Sequence, residues 1–451
     1  MTVDEVVAKA RADGVRMVRF LYCDPSGVIR GKNVHVDRLA GKMREGIGLT
    51  RGQNAVNMLE QFVDVAGMEP VGEVRITPDP DTYTVLPWVP RTAGLLSDQL
   101  GHDGLDWGAC SRSFLKRTIE RADEAGIRVK AAFENEFYLA EDLDGVVTPY
   151  QDGPVYSSAG MDRVADVMHD IVDALEAQGL EVEQAINEYG PGQQEIAIRY
   201  ADALRAADNQ LKFRDAVRGV AEVQHGLIAS FAPKPFAEGV GSGAHIHFSL
   251  WSPDGSTNLL YDEAAGPRLL SAMGRQFVAG VLDHLPALVA LTCPSFNSYE
   301  RLRPSAWAGS TVAWGPDNRE CTVRVASVFR GREAESTNVE LKACDPSCNP
   351  YLALGGLILA GLDGIQRRLE PPEPALKDPA RMTPDERARS DVRPLPATLR
   401  EALANLQGDT VLFAGLGDLL GRCIVAVRTV ELETLEAMPP EAARLAHLRV
   451  F

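Results

Sequence analysis

A few short stretches of this chain concentrate residue types that bind cations and phosphate. GSGAHIHFSL, residues 241–250, holds two of the eight histidines one residue apart. Alternate side chains of an extended strand share a face, so His245, His247 and Ser249 would line one side while Ile246, Phe248 and Leu250 pack on the other. FENEFYLA repeats the pattern, with Glu134 and Glu136 on one face and Phe133, Phe137 and Leu139 on the other. In INEYGPGQQEIAI a Gly-Pro-Gly turn joins two extended runs and brings Glu188 and Glu195 close to opposite one another. A further carboxylate, Glu340, shares a strand face with Lys342 in NVELKACDPSCNPYLALGG, where Asn349 and Pro350 would open a helix. Each stretch alone is compatible with a solvated strand surface. Together the five carboxylates and His245 form an oxygen-rich set that suits two Mg²⁺ or Mn²⁺ ions and not a thiolate-bound metal. Arg301, Arg303, Arg319 and Arg324 cluster around turn signals in NSYERLRPSAWAGSTVAWGPDNRECTVRV; beside a magnesium site they suggest phosphoryl transfer.

These residues need elements that hold them in place. At 451 residues, 45% hydrophobic and 24% charged, the chain is long enough for two domains. A net charge of -17 argues against nucleic-acid binding. The N-terminus lacks the basic and apolar regions of a secretory signal, and the longest apolar run, LALGGLILAGL, is too short to span a bilayer. Seven scattered cysteines without a CxxC pair point to a reducing, cytoplasmic compartment. Residues 15–36 read as a hairpin around DPSG, and a Pro-rich passage covers residues 76–92. The first strongly helical segment is expected at residues 111–126, which sets a domain boundary near residue 105. Beyond it, helices alternate with strands joined by short turns, which predicts an α+β domain with an antiparallel sheet flanked by helices. Residues 370–396 read as a surface loop before a helical C-terminus.

ENEF, EYGPGQQE, GSGAHIHFSL, NSYERL, AWGPDNR and NVELKACDPSCNPYLAL follow one another between residues 134 and 354, with DGI at 363–365. In this ordered set the chain resembles the glutamine synthetase family, which joins glutamate to ammonia through γ-glutamyl phosphate at the expense of ATP. The resemblance implies a small β-grasp domain over residues 1–105 and a glutamine synthetase-type catalytic domain over 106–451. It implies one metal ion on Glu136, Glu188 and Glu195 and another on Glu134, His245 and Glu340. Glu183, His247, Ser249, Arg319 and Arg324 match ATP-side positions, and Gly241, Arg301 and Arg319 match glutamate-side ones. Arg301, Arg319 and Lys342 would assist the chemistry. No protein nucleophile is needed, since the acyl phosphate forms from the substrates themselves.

The chain also departs from that family. Six residues past Arg301, where glutamine synthetases carry the glutamate of a mobile flap, stands Trp307. No aspartate occupies residues 48–58, where the family's FDGSSI motif would fall; Val240 replaces an asparagine and Lys342 an arginine, and the NLYDLP motif is absent. Both carboxylates that the resemblance leads one to expect for ammonium are therefore missing, and an indole would stand beside the acyl phosphate instead. The expected product is a γ-glutamyl amide of an organic primary amine, such as an alkylamine, ethanolamine or polyamine. Glutamine synthesis from ammonia and a non-catalytic structural or regulatory oligomer are the alternatives. By resemblance alone the assembly is a homo-oligomer, a dodecamer of two hexameric rings.

Overall fold

Thr2 and Glu5 form a capping box that starts a helix at Val3–Ala12, ahead of the 111–126 segment expected to be the first. The computed structural model describes residues 1–266 and 270–451. After that helix, β1 (Met17–Cys23) and β2 (Ile29–His35) make the expected hairpin, its turn held by Asp24 accepting from the backbone N–H of Val28 at 3.0 Å. With β3 (Ile47–Thr50), β4 (Glu73–Pro78), β5 (Thr84–Val85) and β6 (Thr92–Leu100) they form a six-stranded sheet ordered β2-β1-β6-β4-β3, in which β1 and β6 run parallel.

The second sheet is built around β7 (Arg128–Leu143), a strand of 16 residues. It pairs with β8 (Val146–Pro149), β10 (Gln193–Ile198), β11 (Ala201–Asp202), β12 (Ile228–Ser230) and β13 (Ala244–Trp251), and β9 (Val182–Asn187) pairs with β10. A pair outside it, β14 (Thr311–Val312) with β18 (Arg393–Pro394), flanks the edge formed by β15 (Trp314–Pro316), β16 (Val323–Val325) and β17 (Val339–Leu341). The spine runs β15-β16-β17-β13-β7-β10-β9. Its pairings are antiparallel except β15 with β16, so the sheet is mixed. The loop between those two strands doubles back, tied by Asp317 N–H to the Val325 carbonyl, and re-enters in the same direction.

One face of this sheet is apolar and carries helices. Phe133, Phe137, Ile246, Phe248 and Leu250 are all buried, and Phe248 packs on Phe277 of helix Ala272–Thr292 with ring centroids 5.3 Å apart. That helix meets helix Pro350–Arg367 at Gly280, where a Cβ would lie 2.2 Å from the Ala360 carbonyl oxygen, so only glycine permits the approach. Residues 370–396 are not a free loop. They wrap the sheet edge, with Ala375 fully buried, its N–H donating to the Trp314 carbonyl and the Trp314 indole donating to Pro372, before entering β18. No single helix among the described residues is long and apolar enough to cross a membrane.

The N-terminal sheet is fastened to the rest by buried charge. Arg112, 2% exposed, reaches Asp79 and Asp98 of the N-terminal sheet region and Asp208 of helix Ala203–His225. In helix Asp418–Glu436, Arg428 pairs with Glu431 at 2.7 Å. Glu431 accepts from the Ser26 hydroxyl at 2.9 Å and the Met58 N–H at 2.8 Å. Removing one partner of such a pair leaves a buried charge unmatched. Glu431→Ala should therefore lower the free energy of unfolding by about 3–5 kcal/mol, read as an earlier midpoint in urea, and a loss under 1 kcal/mol would reject the clamp.

Candidate active site

The other face of the second sheet holds the polar residues, and strand pairing sets which of them meet. His245 lies directly across from Glu134, Glu195 from Glu136, and Glu340 from both His247 and Arg324. Slipping any strand by one residue would turn these charges into the helix-covered side, so the apolar packing fixes the register. Glu188 and Glu195 are diagonal neighbours and not a facing pair: Gln194 pairs with Asn187, and the Glu188 N–H donates to Gln193. The turn is closed tightly by the Gln193 N–H donating to the Gly190 carbonyl at 2.9 Å, and the carboxylate facing Glu195 is Glu136.

His245 Nδ1 stands 3.2 Å from Glu134 and 3.1 Å from Glu340, and these three residues each offer a ligand atom within 4.8 Å of the others. Glu136 accepts from Gln193 Nε2 at 3.0 Å and from the Gly243 N–H at 2.8 Å. Glu188 accepts from the Tyr189 N–H at 3.0 Å and the Tyr156 hydroxyl at 3.4 Å. His247 is oriented by Asn338 at 2.9 Å and approaches Glu134 at 3.4 Å.

So much negative charge on one face distorts its titration. Burial, then the charges of Glu134, Glu136 and Glu188, push Glu195 up to about 10; Glu188 is raised by burial and by Glu136. Glu134 and Glu340 go the other way. Burial alone would raise them, but the histidines, with Lys342 beside Glu340, hold both well below the carboxylate range. His247, although burial opposes its charge, is raised to about 9 by Glu134, Glu340 and Asn338. Hard oxygen donors, one imidazole and an excess of buried anion fit divalent cations of the magnesium type.

The carboxylates open into a cavity of about 410 Å³. Glu134, Glu136, Glu188, Glu195 and His245 line it together with Gly241, Arg301, Arg303, Trp307, Arg319 and Lys342. The remaining sequence-derived residues stand outside the lining. Glu340 and Arg324 are buried behind it, joined at 2.8 Å, and Lys342 meets the same carboxylate at 3.2 Å. His247 is half-buried farther along β13. Ser249 accepts from the Trp251 indole at 2.8 Å. Glu183 is exposed on β9 beside an irregular step in its pairing with β10. Trp307 is 51% exposed at the cavity wall, in a left-handed backbone conformation with φ 55, its N–H donating to Glu320 at 3.2 Å. Its ring meets Tyr189 edge to face, with centroids 5.9 Å apart.

Sequence reasoning missed Tyr156, Tyr189, Gln193 and Lys234 of this lining. Gln193 and Tyr189 stand inside EYGPGQQE and could have been reached from it, whereas nothing local marks Tyr156, and Lys234 is flagged only by its two flanking prolines.

Residues 108–445 match the family described as glutamine synthetase, catalytic domain, and residues 1–107 match the glutamine synthetase N-terminal domain. Among curated relatives, the gamma-glutamylpolyamine synthetase GlnA3 of Streptomyces coelicolor is 38% identical over 441 residues, 96% of this chain and 93% of that protein. A glutamine synthetase of Halobacterium salinarum is 35% identical over 420 residues, 92% of this chain and 89% of that one. Among solved structures, an ADP complex of GmaS superposes with a TM-score of 0.84 at 29% identity, covering 97% of this chain and 98% of its own.

The raised carboxylate gives cation binding a proton signature. Between about 4.5 and 10 the folded, metal-free chain keeps a proton on Glu195 that the unfolded chain has lost, so its stability falls as pH rises through that window. A divalent cation needs the carboxylate, so its binding expels the proton and tightens with pH. Titrating Mg²⁺ into metal-free protein at pH 8 in buffers of different ionisation enthalpy should show proton release, which Glu195→Gln removes. No release from the wild type would reject this charge arrangement.

Proposed function

The chain belongs to the glutamine synthetase family of ATP-dependent glutamate ligases, and we propose that it joins glutamate to an organic primary amine through γ-glutamyl phosphate. Alkylamines, ethanolamine and polyamines are the candidate class. The observation that carries this reading is the aromatic pair Trp307 and Tyr189 in the wall of the carboxylate cavity. An ammonium site needs anions to bind the small cation and take its proton. An indole edge-on to a phenol offers instead apolar surface for a carbon substituent and a π-face for a distant ammonium, worth roughly 0.5–2 kcal/mol. The polyamine activity in the name of the Streptomyces relative points the same way.

In this reading Glu134, His245 and Glu340 would hold one divalent cation and Glu136, Glu188 and Glu195 the other. Such ions, when bound, neutralise charge on the transferring phosphoryl group. Gln193 and the Gly243 N–H hold Glu136 in place, while Asn338 fixes the ring of His247. Glu183, His247, Ser249 and Arg324 would serve the nucleotide side, with Arg319 between phosphate and glutamate. Gly241 would lie on the glutamate side, packed so closely that a Cβ there would meet the Pro233 carbonyl oxygen at 2.6 Å and Arg301 at 2.7 Å. Arg301 supports His245 from behind, and Lys342 offsets the charge of Glu340 next to the reacting acyl group. All seven cysteines are free thiols, which supports a cytoplasmic setting. We extend the proposal to a dodecamer of two hexameric rings; the exposed Phe62 and Val71 of the N-terminal domain support a covered surface there. Light scattering should give the mass of a large oligomer, and a fully active monomer would contradict it.

The amine reading is tested by phosphate release at saturating glutamate and ATP, comparing ammonium with a panel of alkylamines, ethanolamine and polyamines. Turnover should be efficient with at least one amine and weak with ammonium. Trp307→Ala should raise the amine KM about tenfold, the equivalent of ~1.4 kcal/mol. Efficient turnover with ammonium alone, or unchanged amine selectivity in Trp307→Glu, would overturn the reading.

A further inference from the structure

Several buried charges in this molecule are answered in kind: Arg112 by three aspartates, Arg428 by Glu431, and Arg324 and Lys342 by Glu340. Arg301 and Asp345 are not. Arg301, 6% exposed, spends Nη2 on His245 Nε2, at 3.1 Å, and on the Lys342 carbonyl, at 3.3 Å. Neither of these partners is an anion, and Nη1 is buried with no hydrogen-bond partner among the described residues. Asp345 is fully buried; its Oδ1 accepts from the N–H and the hydroxyl of Ser347, while Oδ2 has no partner among the described residues.

The two unanswered charges are neighbours. β17 ends at Leu341, and the chain turns through Asp345 before helix Pro350–Arg367 begins. The Asp345 N–H donates at 3.0 Å to the carbonyl of Thr292, the last residue of helix Ala272–Thr292, from which the chain runs on to the one-turn helix Ser298–Arg301. Serines stitch the two turns together: the Ser295 hydroxyl donates to Ser347 at 2.7 Å, and the Ser295 N–H donates to the Ser298 hydroxyl at 3.1 Å. Burial pushes the Asp345 carboxyl up, and Ser298, Ser347 and the charge of Arg301 act against it. Burial and Asp345 push the Cys293 thiol up while Arg301 pulls it down, so both charges are felt at one buried point. Arg301 and Asp345 stand farther apart than a direct ion pair, a separation across which a low-dielectric interior still transmits attraction.

We infer that Asp345 is the counter-charge of Arg301 and a positioning residue of the active site, holding the Ser298–Arg301 turn from outside the cavity lining. Asp345 touches no reacting atom and acts through Arg301. His245, which Arg301 supports, faces Glu134 and Glu340 with its other nitrogen. Without Asp345 the guanidinium would be drawn toward those carboxylates and would disturb the cluster. This role rests on the family's glutamate ligation and not on which amine accepts the acyl group.

The test is a double-mutant cycle in the full chain, with Asp345→Asn, Arg301→Gln and the two combined. In urea each single variant should unfold earlier than the wild type, because each leaves a buried charge unmatched, and the double variant should unfold no earlier than the weaker single. If Asp345→Asn alone does not fold, the double variant should recover folded protein. Steady-state kinetics use saturating ATP and Mg²⁺ and whichever acceptor the wild type turns over best, ammonium included. Asp345→Asn should lower kcat/KM for glutamate about tenfold or more. In the Arg301→Gln background the same change should alter kcat/KM by less than about threefold; if Arg301→Gln abolishes turnover, the urea cycle decides alone. Additive urea midpoints, a kcat/KM within about twofold of the wild type in Asp345→Asn, or a double variant that fails to fold along with Asp345→Asn would overturn the inference. Turnover with ammonium alone would sink the amine reading and leave the Asp345 result standing.

Discussion

Everything in this molecule that does chemistry depends on keeping like charges together on one half-buried sheet face. Glu195 faces Glu136 directly and lies near Glu134 and Glu188, an arrangement that costs free energy in the absence of a cation. What holds it is on the reverse side of the same strands. Phe133, Phe137, Ile246 and Phe248 are closed over by helices, and because side chains alternate, that packing dictates where each carboxylate emerges. The carboxylate cluster is thus a by-product of a hydrophobic register.

The contrast between the two kinds of carboxylate follows from position on that face. Glu340 and Glu134 sit among histidines, Lys342 and Arg324 and stay ionised. Glu195 and Glu188 have mainly other carboxylates as neighbours and resist ionisation. One half of the site is therefore electrically complete as folded and the other is complete only with added positive charge, which divides the structural from the ligand-dependent part of the cluster.

Much of this was legible in the residue pattern. Period-two alternation placed Glu134, Glu136, His245 and Glu340 on one face because alternation is a local property of a strand. The diagonal offset of Glu188 was not legible, since it depends on how many residues the turn consumes. Nor was the commitment of Arg324 to Glu340, which needs the pairing of β16 with β17. The helix at Val3–Ala12 was readable from its T-x-x-E capping box and was overlooked. The docking of residues 370–396 was hidden by a composition rich in proline and charge, because Ala375 is buried by tertiary contact and not by any periodicity of its own. Trp307 was found by its position, while its left-handed backbone and its contact with Tyr189 belong to the folded loop.

The bond from Ser26 to Glu431 spans 405 residues. Ser26 belongs to the turn between β1 and β2, and Glu431 to helix Asp418–Glu436. That turn must wait, while the whole stretch between them is synthesised, for the side chain that satisfies it. The N-terminal sheet can pair its strands early, but its seating on the rest of the molecule is a late event, completed only after the C-terminal helices have been made.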